Sequence, residues 1–171
     1  QRVIQLPAAS KAIAPGQPLL SVIGAGNYAS RMLIPAFARA GAHFHTLAAS
    51  SGVGPLHVGR KFGFRQASTD IPALLADPSA NCVVIATRHD SHAKLVLKAL
   101  QSGKHVFVEK PVCVNPIELK KIHDALQKKP WLQFCSNLVL RKSPRLINVQ
   151  KSILEGHFGQ IYYFEGDYDY G

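Results

Sequence analysis

The chain is short of the features that mark a membrane, a metal centre or a secreted scaffold. No apolar run approaches the ~18 residues of a membrane span, and the amino end lacks the continuous hydrophobic region of a signal peptide. A soluble, cytoplasmic protein with no membrane partner is therefore expected. Cysteines number three, Cys82, Cys113 and Cys135. An odd count, set in apolar runs without CxxC spacing, argues against a disulfide framework and against zinc, and fits reduced core thiols. Acidic residues are also scarce, 10 against 20 Lys and Arg, for a formal charge of +10. Such an excess would suit nucleic acid if it were clustered. It is instead scattered from Arg2 to Lys151 with only short doublets such as Lys120-Lys121 and Lys128-Lys129, so no nucleic-acid partner is expected. Repeats of solenoid period and low-complexity tracts are missing too.

What is present is a chain of 171 residues, 47% hydrophobic, enough for one domain with a real core. Residues 1–18, QRVIQLPAASKAIAPGQP, are rich in Pro, Ala and Gln without a sustained period and read as a linker or an arm. From Leu19 onward, strand-length apolar runs alternate with helical stretches: LLSVIG, YASRMLIPAFARAG, HFHTLAAS, VGRKFGF. A short helix follows Asp70. CVVIAT reads as a central strand, SHAKLVLKALQSG as a helix closed by Gly103, and HVFVE as the next strand. Asn115 then caps PIELKKIHDALQKK with Pro116 at its first position, WLQFCSN is a sixth strand, and SPRLINVQKSILEG a last helix.

Strands apolar on both faces, alternating with helices, predict an α/β fold with a doubly wound parallel sheet over residues 19–157. The closing run, IYYFEGDYDY, breaks the alternation. It is expected to be the first strand of a second, truncated α/β domain over 158–171, and both ends of the chain read as cut from something longer.

The chemistry starts at GAGNYA, residues 24–29, which follows the first strand and opens a helix. This is the setting a dinucleotide fingerprint requires. Gly24 permits the tight turn, Gly26 lets backbone approach a pyrophosphate, and Ala29 fills the third small position, with Asn27 and Tyr28 on the same turn. The second strand of such sheets normally ends in a carboxylate that holds the ribose of NAD. Here it ends in Ser50 and Ser51. Small hydroxyl residues accommodate the 2′-phosphate of NADP, with Arg60 or Lys61 adding charge if their helix turns them inward, so NADP is favoured over NAD. TRHDSH, residues 87–92, follows the fourth strand, where a nicotinamide ribose would lie. Thr87, Arg88, His89 and His92 are its candidate ligands. Finally, HVFVE ends in Glu109, Lys110 and Pro111. Pro111 disfavours helix at Lys110 and keeps it extended into the crevice, where its charge can meet a developing alkoxide. Glu109 can orient that lysine or bond the cofactor.

Together GAGNYA, IATRHDSHAKLVLKALQSGKHVFVEKP, LRKSPRL and ILEGHFGQI resemble the Gfo/Idh/MocA family of NAD(P)-dependent oxidoreductases over residues 19–171. The resemblance implies that Lys110 is the catalytic lysine beside nicotinamide and substrate, and that Glu109 and Pro111 line the cofactor site. It matches Thr87 and His92 to a T-P-x-x-x-H stretch, in which this chain has Arg88 for the usual proline and His89 for a common asparagine. It places Asn137 and Arg141 facing the active site. It further implies a sugar-like small-molecule substrate, a homo-oligomer for the full-length protein, and an Asp/His pair from a second domain beyond Gly171. Some relatives carry this unit behind a zinc alcohol-dehydrogenase-like domain. The competing class is a non-catalytic NAD(P) sensor or scaffold.

Overall fold

The structure, a computed structural model, describes residues 3–7, 13, 17–50 and 53–167. It divides into two compact units, Gln1–Asn137 and Leu138–Gly171.

The first unit is built on a 7-stranded sheet of order β1-β4-β3-β2-β5-β6-β7. Its strands are β1 (Val3–Gln5), β2 (Leu19–Ile23), β3 (His43–Ala48), β4 (Gln66–Ser68), β5 (Cys82–Ile85), β6 (His105–Val108) and β7 (Phe134–Ser136). All neighbours pair in parallel except β1, which joins β4 antiparallel with Val3 opposite Ser68. The residues read as a linker thus include an edge strand, and Leu6 follows it onto Gly59 and the Arg65 carbonyl. Three residues are too few for a period-2 signal to stand out in a Pro- and Ala-rich context.

Helices cover both faces. α1 (Ile34–Arg39), preceded by a π-helical turn over Ala29–Leu33, is followed by α2 (Val53–Phe62) and α3 (Ile71–Ala76). α4 (His89–Gln101) and α5 (Pro116–Lys128) follow β5 and β6. Strand residues alternate between two cores. Leu20, Val22 and Val84 join Leu33, Ile34, Phe44 and Phe64 on one side. Ile23, Val83 and Ile85 meet Val96, Leu100 and Ile122 on the other. Local capping agrees with the sequence: Asp70 Oδ1 accepts from the Ala73 N–H at 3.0 Å, and Asn115 Oδ1 from Glu118 at 2.9 Å. The cysteines are unpaired, but Cys135, expected in the core, is exposed, and Cys82 and Cys113 are only half-buried. Burial pushes the Cys82 thiol up to about 11.

The second unit holds a short 3₁₀ turn (Val139–Lys142) and α6 (Pro144–Leu154), a helix with no buried residue. Where the sequence expects a domain running to residue 157 and then a strand, the first compact unit ends at Asn137, and residues 161–167 form neither helix nor strand. Among the described residues no helix is long and apolar enough to cross a membrane.

The chain runs outward from β2 to β3 and β4, then returns across β2 to β5, so the order reverses between β2 and β5. The turn after β2 fits against β5 because Gly24 has no side chain. Its φ is +107°, and a Cβ there would stand 2.3 Å from the Ala86 carbonyl oxygen. Gly24→Ala should therefore cost about 3 kcal/mol, since the clash is with backbone and the conformation is strained. Thermal unfolding should show a Tm roughly 6–12 °C lower. An unchanged Tm would mean that the turn moves freely.

A second test concerns His45, buried on β3. Its Nδ1 lies 2.9 Å from Thr46 Oγ1 and 3.5 Å from Asp77 Oδ2, with the Gln66 amide 3.4 Å away. Burial holds its pKa below the usual 6.5, outweighing the attraction of Asp77, while Arg65 and Lys104 push the same way as burial. The unfolded chain then takes up the proton more readily than the folded one. His45's contribution is present above pH 6.5 and is lost as pH falls below it. Urea midpoints should fall between pH 7.5 and 5.5 in the wild type, and less in His45→Gln; equal slopes would remove His45 as the source.

Candidate functional site

At the carboxyl ends of the strands, three backbone bonds lock the ends of β3, β2, β5 and β6 together. Gly24 N–H donates to Ala48 O at 2.8 Å, Ala86 N–H to Ile23 O at 2.8 Å, and Glu109 N–H to Ile85 O at 2.9 Å. Above this seam Gly26 is exposed, and a Cβ placed on it would meet nothing within 4 Å. The two glycines are thus required for different reasons. Gly24 is needed by the fold, whereas the fold leaves the space over Gly26 free, as a close-approaching phosphate group needs. Ala29 is buried beneath, in the third small position. Ser30 closes the turn, its N–H and hydroxyl both donating to Gly26 O at 2.9 Å. Asn27 and Tyr28 are exposed on the same turn. These residues fit a dinucleotide.

At the end of β3, Ser50 is exposed and Ser51 lies outside the described residues. Arg60 and Lys61 fall in the last turn of α2, both exposed. At ~1.5 Å per residue they sit about two turns from the helix start that follows Ser50.

After β5, Arg88 occupies the N-cap of α4 in extended conformation and is exposed, as is His89. Thr87 is half-buried, its hydroxyl 2.6 Å from that of Ser91, which also donates to Arg88 O at 2.7 Å. Ser91 is not among the candidate ligands of TRHDSH; its spacing of four from Thr87 across a helix start is the available signal. His92, expected on the cofactor, is fully buried instead. Its Nδ1 lies 2.7 Å from Pro111 O and its Nε2 3.1 Å from Thr87 O. The ring is wedged between two carbonyl oxygens, and its N–H donates to one of them, so it sits between the loop after β5 and the loop after β6.

After β6, Glu109 is buried, while Lys110 and Pro111 are exposed and their peptide bond is cis. Glu109 and Lys110 do not form a side-chain ion pair. The carboxyl group accepts instead from Asn137 Nδ2 and, at 3.3 Å, from the Lys110 backbone N–H. Asn137, just past β7, also donates to Tyr28 Oη at 3.0 Å. Phosphate turn, β6 end and β7 end are thereby connected through side chains. Arg141 is exposed on the 3₁₀ turn of the second unit.

Among the described residues no group of three His, Cys, Asp or Glu side chains could hold a metal ion. A hollow of about 530 Å³ opens at the other end of the sheet, lined by Leu20, Phe37, Cys82 and Phe107. Its surface is mostly apolar, with Gln17, His43, His105 and Gln133 also on its lining.

Comparison with known proteins bears on this arrangement. The oxidoreductase family with an NAD-binding Rossmann fold, Gfo/Idh/MocA, matches residues 20–134. The chain is 33% identical over 109 residues to levoglucosan dehydrogenase of Pseudarthrobacter phenanthrenivorans, covering 64% of this chain and 28% of that protein. It is 28% identical over 110 residues to scyllo-inositol 2-dehydrogenase (NAD(+)) of Bacillus subtilis, covering 64% and 32%. The crystal structure of scyllo-inositol dehydrogenase from Lactobacillus casei superposes with a TM-score of 0.79 at 16% identity, over 84% of this chain and 43% of that one. The chain thus spans less than half the length of these relatives. A glycine turn at the reversal point of a doubly wound sheet, and a family match over residues 20–134, lead to one conclusion: this chain belongs to the Gfo/Idh/MocA oxidoreductase family and carries its NAD-binding Rossmann domain.

Proposed function

We propose that the chain is the cofactor-binding part of an NAD(P)-dependent oxidoreductase acting on a hydroxyl or carbonyl group of a sugar-like or cyclitol-like substrate. The observation that carries the reading is the open cradle over Gly26, set beside Thr87 and the Glu109-Lys110 strand end. Support for the substrate class comes from the relatives named for levoglucosan and scyllo-inositol. When bound, the nicotinamide exchanges hydride with an oxygen-bearing substrate carbon.

The chain's own residues divide the remaining work. Gly26 and the backbone after it receive the pyrophosphate. Thr87, Arg88 and His89 stand where the nicotinamide ribose and amide are met. Glu109 and Asn137 hold the strand end in place. Lys110, exposed and with no ion-pair partner among the described residues, brings positive charge to the substrate oxygen as alkoxide character develops. NADP is preferred over NAD because no carboxylate stands at the end of β3 to repel a 2′-phosphate. The proton donor or acceptor, and the assembly into an oligomer, belong to the complete protein, which acts in the cytoplasm.

Calorimetric titration with NADPH and NADH tests the cradle. Wild type should bind, more tightly to NADPH, and Gly26→Asp should lose binding while keeping its Tm, because a Cβ there meets no atom within 4 Å. Retained binding in the variant would move the cofactor elsewhere. For catalysis, Lys110→Ala in the full-length enzyme should leave NADPH affinity within about twofold and raise the barrier by ~2–4 kcal/mol, a kcat loss of about 30- to 1000-fold. Unchanged turnover would dismiss Lys110 from the chemistry.

A further inference from the structure

The connection Glu109–Asn137–Tyr28 has a direction. Both carboxyl oxygens of Glu109 face N–H groups: Oε1 the side-chain nitrogen of Asn137, and Oε2 the Lys110 backbone N–H at 3.3 Å. Glu109 is therefore an acceptor on both sides, and Asn137 must turn its NH₂, not its carbonyl, toward it. That nitrogen carries a second hydrogen, and Tyr28 Oη lies 3.0 Å from it. Tyr28 thus accepts from Asn137. Its own O–H proton has no acceptor among the described residues, and the side chain is 45% exposed. A buried carboxyl group and a half-buried amide act together to leave one phenolic proton available.

We propose that Tyr28 donates this proton to an acceptor oxygen in the nicotinamide riboside half of the bound dinucleotide, with Asn137 and Glu109 as the positioning residues that set its polarity. This rests on the cofactor reading above and adds an atom and a direction to it. Tyr28 stands two residues after Gly26 on the phosphate turn, while its partner Asn137 and their shared partner Glu109 stand at the ends of β7 and β6. In the sheet order those strands lie beyond β5, on the opposite side of β2 from β3 and β4. A doubly wound sheet binds one mononucleotide half over each half of its strands, the adenosine half meeting the strand that follows the fingerprint. The hydroxyl is tied to the other half.

The test is calorimetric titration of the chain and its Tyr28→Phe variant with NADPH, NADH and ADP, the last having no nicotinamide half. Removing one neutral hydrogen bond should weaken both dinucleotides about fivefold and leave ADP unchanged. An equal loss for ADP would mean that the hydroxyl only holds the turn, and no loss for any ligand would mean that it donates elsewhere. Either result overturns the proposal while leaving the cofactor reading standing. A wild type that binds neither dinucleotide nor ADP would overturn both.

Discussion

The site depends on the contact between the backbone of Gly24 and that of Ala86. With a Cβ at residue 24 placed 2.3 Å from the Ala86 oxygen, no side chain can yield to relieve the crowding. The turn after β2 must lie directly on the end of β5, and the bonds from Gly24 to Ala48 and from Ala86 to Ile23 hold three strand ends at one level. Everything above that level inherits its position from it. Gly26 faces open space because Gly24 has already turned the chain, and Thr87 opens the next loop one residue beyond the contact. A doubly wound sheet creates a crevice wherever its order reverses. Here a close backbone packing makes that crevice narrow enough for a turn from one half to reach the other.

On this base, one buried and one half-buried side chain hold the rim of the crevice. His92 bridges the carbonyls of Thr87 and Pro111, fastening the loop after β5 to the loop after β6. Asn137 does the same between the end of β6 and the phosphate turn. Exposed residues such as Arg88, His89 and Lys110 then project from loops whose backbone is already fixed. Less ordering remains to be done when a ligand arrives, which favours affinity. A polar ring buried between two carbonyls is also a demanding element of a core, since an apolar replacement would leave the carbonyl that takes its N–H without that partner.

The sequence made legible what depends on neighbours along the chain. The alternation of apolar runs and helices, the caps at Asp70 and Asn115, and the glycine turn all express local rules, and each stands where it was expected. What it concealed depends on distant contacts. Nothing near His92 tells whether its ring points outward to a ribose or inward to Pro111, 19 residues away. The Asn137–Tyr28 bond spans 109 residues and has no local sign. Arg60 and Lys61 look available for a phosphate until the length of α2 carries them to its far end. The antiparallel β1 is hidden because so short an edge strand takes its order from β4 rather than from its own pattern.

The end of β3 illustrates how a specificity can be built by omission. A carboxylate in that position would accept from a ribose hydroxyl and repel a 2′-phosphate; its absence removes both effects at once. Ser50 supplies hydrogen bonds of either polarity but no charge, and the nearest basic pair along the chain sits at the wrong end of its helix. Strong selection for a phosphate requires a cation or a set of fixed donors around it. On the proposed preference for NADP, the phosphate is admitted more than it is drawn in. Discrimination of that kind is modest, because removing a repulsion can restore at most what the repulsion had cost, whereas each charge-assisted bond adds to the total. On the proposed reading, the cofactor's firm anchoring comes from the other side of the crevice, where Gly26, Thr87, Tyr28 and the Glu109-Lys110 strand end would meet parts that NAD and NADP have in common.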